Sequence, residues 1–184
     1  TDCAAVQFID ENTGWILGTN NNSYYAGKRP ALLFTDNAGS NWANRLKSLD
    51  QDIDIVDVCF IDSTLGWMIS RNSIYHSYDA GRSWTRQYDS GSDYDADQLR
   101  SICFVDSMTG FCAGYNYSNY GRLLKTSNGG KIWTAKSLAI GLIRDIYFLS
   151  NMVGWIVGSD GLLARTINGG DSFELMTTNI PSSI

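Results

Sequence analysis

A fourfold internal repeat constrains this chain more than any other feature. The first blocks read Val6-Gln7-Phe8-Ile9-Asp10 before Gly14-Trp15, Val58-Cys59-Phe60-Ile61-Asp62 before Gly66-Trp67, Ile102-Cys103-Phe104-Val105-Asp106 before Gly110-Phe111, and Ile146-Tyr147-Phe148-Leu149-Ser150 before Gly154-Trp155. The Phe residues are 52, 44 and 44 positions apart, and each precedes its Gly by six. A second block follows each first one: Thr35-x-Asn37-x-Gly39-x-x-Trp42, Ser77-x-Asp79-x-Gly81-x-x-Trp84, Thr126-x-Asn128-x-Gly130-x-x-Trp133 and Thr166-x-Asn168-x-Gly170-x-x-Phe173. A period of about 40–45 residues is the size of a four-stranded propeller blade, which buries its faces only by stacking on its neighbours.

Each repeat carries four short β-branched or aromatic runs bounded by Gly, Asn, Asp and Ser. In the second repeat these strands, termed A to D, are expected at Ile55 to Ile61, Trp67 to Ser70, Ile74 to Ser77 and Ser83 to Gln87. No stretch keeps a helical period. The fold expected is all-β: a β-propeller of four-stranded antiparallel blades, four in this chain, at about 4–47, 54–88, 98–137 and 142–178, forming one domain over 1–184. In the C–D turn the Asp or Asn side chain accepts hydrogen bonds from nearby backbone N–H groups. The Gly supplies a positive φ, and the aromatic packs between blades.

The second blocks resemble the Asp-box (BNR) repeat, Ser/Thr-x-Asp-x-Gly-x-x-Trp/Phe, with Asn replacing Asp in three copies. The first blocks resemble photosystem II stability/assembly factor-like repeats, and together the two cover residues 4 to 176. The resemblance implies a β-propeller that is secreted, periplasmic or on the cell surface, with the box structural and remote from the central site. Sialidases and some xyloglucan-degrading glycosidases share the box. Sialidases use an arginine cluster on inner strands, where this chain offers Arg100 and Arg144 but has Ala4 and Val56 at the matching positions. No enzymatic activity is expected.

Composition narrows the partners. A net charge of −5 argues against nucleic acid, which needs clustered Lys and Arg. The longest apolar runs are too short to span a bilayer, so no membrane insertion is expected. One His, His76, excludes multi-His metal sites. It stands on strand C, where the other repeats have Phe34, Lys125 and Arg165, and that variability suggests an exposed position. The chain lacks an initiator Met and an apolar leader, consistent with a removed signal peptide or a longer parent chain.

Function is expected in the connections. The A–B and C–D turns have constant length, whereas all insertions fall in B–C and D–A, which share one face of the disc. Length variation on one face of a rigid scaffold is what a binding surface produces. These connections hold Tyr24, Tyr25, Tyr94, Tyr115, Tyr117 and Tyr120 among Asn, Ser and Gly, a mixture suited to protein or glycan partners. Asp89, Asp93, Asp95 and Asp97 supply hard oxygens for Ca²⁺ but lack the Gly and Glu of an EF-hand loop, so a solvated acidic loop is favoured and no cofactor is required. The expected function is a non-catalytic extracytoplasmic protein-binding or assembly module. Alternatives are a carbohydrate-binding module or fragment of an Asp-box glycosidase, and a structural repeat of a large surface or fibre protein.

Cys59, Cys103 and Cys112 occupy repeated core slots. Mostly free thiols are expected, although Cys103 and Cys112 could meet across the A–B hairpin. An open arc of four blades would expose an apolar face at each end, so self-association or further blades are expected to complete a ring, in preference to a closed four-bladed monomer.

Overall fold

The computed structural model describes residues 2–20, 29–46, 53–91 and 96–177. Within them the chain forms four antiparallel sheets, each made of four consecutive strands in sequential order. The first holds β1 (Asp2–Phe8), β2 (Gly14–Asn20), β3 (Arg29–Thr35) and β4 (Ala43–Asn44). The second holds β5 (Ile55–Phe60), β6 (Gly66–Ser70), β7 (Ser73–Ser77) and β8 (Thr85–Asp89). The third holds β9 (Asp97–Phe104), β10 (Gly110–Asn116), β11 (Gly121–Thr126) and β12 (Thr134–Leu138). The fourth holds β13 (Ile143–Phe148), β14 (Gly154–Gly158), β15 (Leu163–Thr166) and β16 (Glu174–Leu175). These are propeller blades, and a single 3-10 turn at Ser159–Gly161 is the one helical element among the described residues.

Each repeated residue has a local reason. The carboxylate of Asp10 accepts from the N–H groups of Asn12 and Thr13; Asp62 and Asp106 repeat this, and Ser150 does it with its hydroxyl. The Gly six residues after each Phe lies under that ring: a Cβ on Gly66 would stand 2.2 Å from Phe60, and one on Gly110 2.3 Å from Phe104. In the C–D turn, Asn37, Asp79, Asn128 and Asn168 each accept from the hydroxyl two residues back and from the N–H four residues on. The Gly between adopts φ of 80°, 82°, 83° and 87° in the four copies. Asn matches Asp here because the turn uses the acceptor oxygen rather than the charge.

Three seams join the blades, and all use the same parts. Trp15 stacks on Phe60 (centroids 3.9 Å apart), Trp67 on Phe104 (3.4 Å) and Phe111 on Phe148 (3.5 Å). Gln7, Cys59 and Cys103 each accept the backbone N–H of the next blade's Phe, at 2.7, 3.3 and 3.4 Å. A carbonyl in the next blade's C–D turn accepts from the preceding blade: Ala80 from Trp15 Nε1, Gly129 from Gln87, Gly169 from Lys125. The aromatics Trp84 and Trp133 are half-buried and meet Phe60 and Phe104 edge-on, inside the first and second seams.

All four cysteines are free. The slot shared by Cys59 and Cys103 thus receives a hydrogen bond across a seam rather than only filling space. Burial pushes the Cys59 thiol up to about 12 and holds that of Cys112 well above its ordinary value.

His76 corrects the exposed position expected for it: it is buried, 4.9 Å from Trp67 and edge-on to Tyr78 at 3.9 Å. Its slot faces the strand-B aromatic in every blade: Phe34 packs on Trp15, while Lys125 and Arg165 lie 5.6 and 5.7 Å from the ring centroids of Phe111 and Trp155. A ring and a cation both suit an aromatic face, which is why the residue varies although its role does not. Burial lowers the His76 pKa and favours the neutral imidazole.

Candidate functional site

The two faces of the disc separate cleanly. On one, each C–D turn bonds to the A–B turn of its own blade: the N–H groups of Ala38, Ala80, Gly129 and Gly169 donate to the carbonyls of Asn12, Thr64, Met108 and Met152. On the other, B–C and D–A segments meet: Leu99 N–H donates to Arg71 O, Ser90 to Asn72 O and Gly121 to Ile140 O. The described parts of the variable-length connections, at 89–91, 96–98 and 115–121, therefore share the second face.

A repeated β-bulge shapes that face. Pairing slips by one residue between Cys3 and Ala5, Ile55 and Asp57, Leu99 and Ser101, and Ile143 and Asp145. The unpaired positions are Ala4, Val56, Arg100 and Arg144, at the D–A end of each inner strand. A bulge bends the strand and re-aims its extra side chain. Here it brings both arginines to Tyr115, at the end of β10. Arg100 Nη2 donates to the Tyr115 hydroxyl at 2.5 Å. The guanidinium carbons of Arg100 and Arg144 lie 5.2 and 5.9 Å from the Tyr115 ring centroid. Arg100 Nε is buried and has no hydrogen-bond partner.

Beside this cluster lies a cleft of about 330 Å³, lined among others by Asp54, Arg71, Asn72, Gln98 and Tyr117. Arg71 pairs with Asp54 at 2.8 Å, which orients its guanidinium at the rim. The loop after Tyr115 is held by reciprocal bonds between Asn116 and Tyr120, with Asn119 at φ 63°. It presents Tyr117 and Tyr120, both more than half exposed. Of the six tyrosines expected to bind, Tyr115, Tyr117 and Tyr120 occupy one loop of this face. Tyr24, Tyr25 and Tyr94 lie outside the described residues.

Below the arginines, polar groups follow the inner strands. Ser101 donates to Asp145 at 2.7 Å, and Asp57 accepts from Val58 and Ile102 N–H. Burial raises Asp57 to about 6, against the opposing effect of those two N–H bonds.

The acidic loop has other duties at both described ends. Asp97 is buried between Arg122 and the Tyr88 hydroxyl, both at 2.6 Å, so its charge is already neutralised. Asp89 pairs with Arg86 and caps Gly91 N–H. Asp93 and Asp95 lie outside the described residues, and no metal-binding cluster occurs among those described. A larger cleft, about 410 Å³, opens between the C–D turns of the last two blades. Its Lys125 and Lys136 donate to Gly169 O and Asp171 O across the seam, so they serve the stacking of blades.

No protein-family profile matches the chain. It is 27% identical over 143 residues to the photosystem II assembly lipoprotein Ycf48 of Synechococcus sp. (strain CC9902), covering 76% of this chain and 40% of that one. It is 33% identical over 84 residues to the chloroplastic photosystem II stability/assembly factor HCF136 of Oryza sativa subsp. japonica, covering 41% and 19%. The chain is similar in sequence to these assembly factors. It spans less than half the length of either. A solved structure of YCF48 bound to D1 peptide superposes with a TM-score of 0.67 at 24% identity, over 97% of this chain and 54% of that one. A GH74 enzyme of Niastella koreensis superposes equally well (0.67) at 15% identity, over 96% and 30%. Both structural likenesses establish the propeller fold. No helix among the described residues is long and apolar enough to cross a membrane.

Proposed function

We propose that this chain is a non-catalytic, extracytoplasmic protein-binding propeller of the assembly-factor type. Its B–C/D–A face grips an extended peptide segment of its partner. The observation that carries the reading is the cluster of Arg100, Arg144 and Tyr115, with an unpartnered buried guanidinium nitrogen, at the mouth of the inner strands. Guanidinium groups recognise carboxylates with charge-assisted, directional hydrogen bonds. Tyr117 and Tyr120 add flat, amphipathic area with few rotamers to freeze. The chemistry selects a segment bearing a side-chain or terminal carboxylate, beside a backbone that can lie along the tyrosines. A relative solved with D1 peptide supports a peptide ligand, and the chain's net negative charge confines that attraction to this local patch.

The test is an array of acidic peptides, including the D1 peptide, probed with the native chain and with an Arg100→Ala/Arg144→Ala double variant. Binding of carboxylate-bearing peptides that drops tenfold or more in the variant supports the reading. Binding unaffected by the double substitution contradicts it. Binding confined to oligosaccharides on a parallel glycan array would replace it with a carbohydrate-binding role.

A further inference from the structure

The third seam carries more positive charge than its fastening needs. At the level of the C–D turns the first seam is joined by Trp15 Nε1 donating to Ala80 O, and the second by Gln87 donating to Gly129 O. The third has two donors there, Lys125 to Gly169 O and Lys136 to Asp171 O. Each ammonium gives one of its three N–H groups to a carbonyl, which accepts without neutralising it. Neither lysine forms a salt bridge among the described residues. Around them lies the cleft of about 410 Å³. Its floor is Leu123 and Lys125 of β11 with Thr134 and Lys136 of β12, alternate residues that share one face of the third blade. The turn from Gly169 to Asp171 forms the far wall, and a Cβ on Gly170 would stand 2.5 Å from Leu123, so wall and floor meet at the inner end.

The second blade is the control for this cleft. Aligned by the repeat, Lys125 stands in the slot of His76, Asn128 in that of Asp79, Ile132 in that of Ser83 and Lys136 in that of Gln87. Two of these changes add a cation, one removes a carboxylate, and one makes the rim apolar. Asn128 Oδ1 is committed to the turn, while its Nδ2 has no partner among the described residues. Ile132 is 68% exposed at the cleft. Asp171 is the one carboxylate among the lining residues, outnumbered by the two ammoniums, so the cleft is positive in a chain of net charge −5. We infer that it binds a small organic anion, an oxyanion head on a short apolar body. Lys125, Lys136 and Asn128 Nδ2 donate to the head, and Leu123 and Ile132 receive the body. A phosphate monoester uses these donors most fully, because it presents three strong acceptor oxygens. The volume lies within the range of about 300–1,000 Å³ common for small-molecule sites. The cleft stands among the C–D turns, away from Arg100, Tyr115 and Arg144, and the inference does not depend on the peptide-binding reading.

Titrations of the isotope-labelled 184-residue chain with phenyl phosphate, inorganic phosphate and phenol, followed by amide NMR shifts, test it. Phenyl phosphate is expected to shift the amides of Lys125, Ile132, Gly169 and Gly170, and to bind about tenfold more tightly than either inorganic phosphate or phenol. Two variants copy the second blade, so each keeps a side chain that such a seam already accommodates, and the spectra themselves report the fold. Lys136→Gln installs the carboxamide of Gln87 and is expected to weaken phenyl phosphate about tenfold, the effect of one charge-assisted bond. Ile132→Ser installs the residue of Ser83 and is expected to weaken phenyl phosphate several-fold while leaving inorganic phosphate unchanged. Shifts gathered instead at Arg100, Tyr115 and Arg144 overturn the inference. So do the absence of saturable binding in the millimolar range, equal affinity for phenol or inorganic phosphate, and variants that bind phenyl phosphate as the native chain does.

Discussion

Trp15 and Phe60 lie face to face across the first seam, their centroids 3.9 Å and their planes 4° apart. The same stack recurs between Trp67 and Phe104 and between Phe111 and Phe148. Burial of such a ring contributes about 2–3 kcal/mol, and the stacking geometry about 0.5–1.5 kcal/mol more. Phe60→Ala is therefore expected to cost about 3–5 kcal/mol in urea unfolding. Phe8→Ala should cost less, about 1 kcal/mol, because that ring is 45% exposed and meets only Trp42, edge-on, with no ring stacked on its face. Equal losses at the two positions would deny the seam its role.

The close approach of Gly66 to Phe60 makes a second prediction. Gly66→Ala puts a methyl 2.2 Å from the ring, on a backbone that any residue could adopt. Overpacking of this kind costs about 1–3 kcal/mol. The double variant Gly66→Ala/Phe60→Leu should cost less than the sum of its parts, measured by the same unfolding curves.

The C–D turn separates charge from acceptor. Asp79→Asn keeps the oxygen that Ser77 and the Ser83 N–H use, so it should change stability by less than about 0.5 kcal/mol at neutral pH. Asp79→Ala leaves both groups unpaired and should cost about 1–3 kcal/mol.

Asp57 gives a pH dependence of definite sign. Its folded pKa, about 6, lies above the ordinary 3.8. Between those values the folded state holds more protons than the unfolded one, so this group's contribution to stability increases as pH falls from about 6 to 4. The buried anion is a cost at neutral pH. Asp57→Asn removes that dependence: the difference in melting temperature between the native chain and the variant should narrow as the pH is lowered from 7 to 4. The subtraction also cancels His76, whose lowered pKa works the other way, with protonation opposing folding as pH falls.

The fold was legible because four copies of one blade leave four independent records of each constraint. Phe148 or Thr166 alone would carry little weight; in register with their counterparts they place a strand and a turn. The site was less legible. The variable face and three of its tyrosines could be read from loop lengths, but the roles of Arg100 and Arg144 could not be read from strict strand alternation. One signal was present: Leu99 and Ile102, like Ile55 and Val58 or Ile143 and Ile146, are apolar at a spacing of three. In an unbroken strand residues three apart face opposite ways, yet both members of each pair are buried in one core. That break in parity is the bulge. His76 was misread because variability suggested water, whereas its slot asks only for something that packs on an aromatic face.

The central claim is that the face built from Arg100, Tyr115, Arg144 and the 116–120 loop receives a carboxylate-bearing peptide. Amide hydrogen exchange of the native chain, with and without saturating D1 peptide, tests it most directly. Protection gathered at β9, the β10–β11 loop and the start of β13, and lost in the Arg100→Ala/Arg144→Ala variant, is the predicted result. Protection gathered at the C–D turns around Asn128 and Gly170, or no change anywhere under conditions where Ycf48 binds the same peptide, would contradict it.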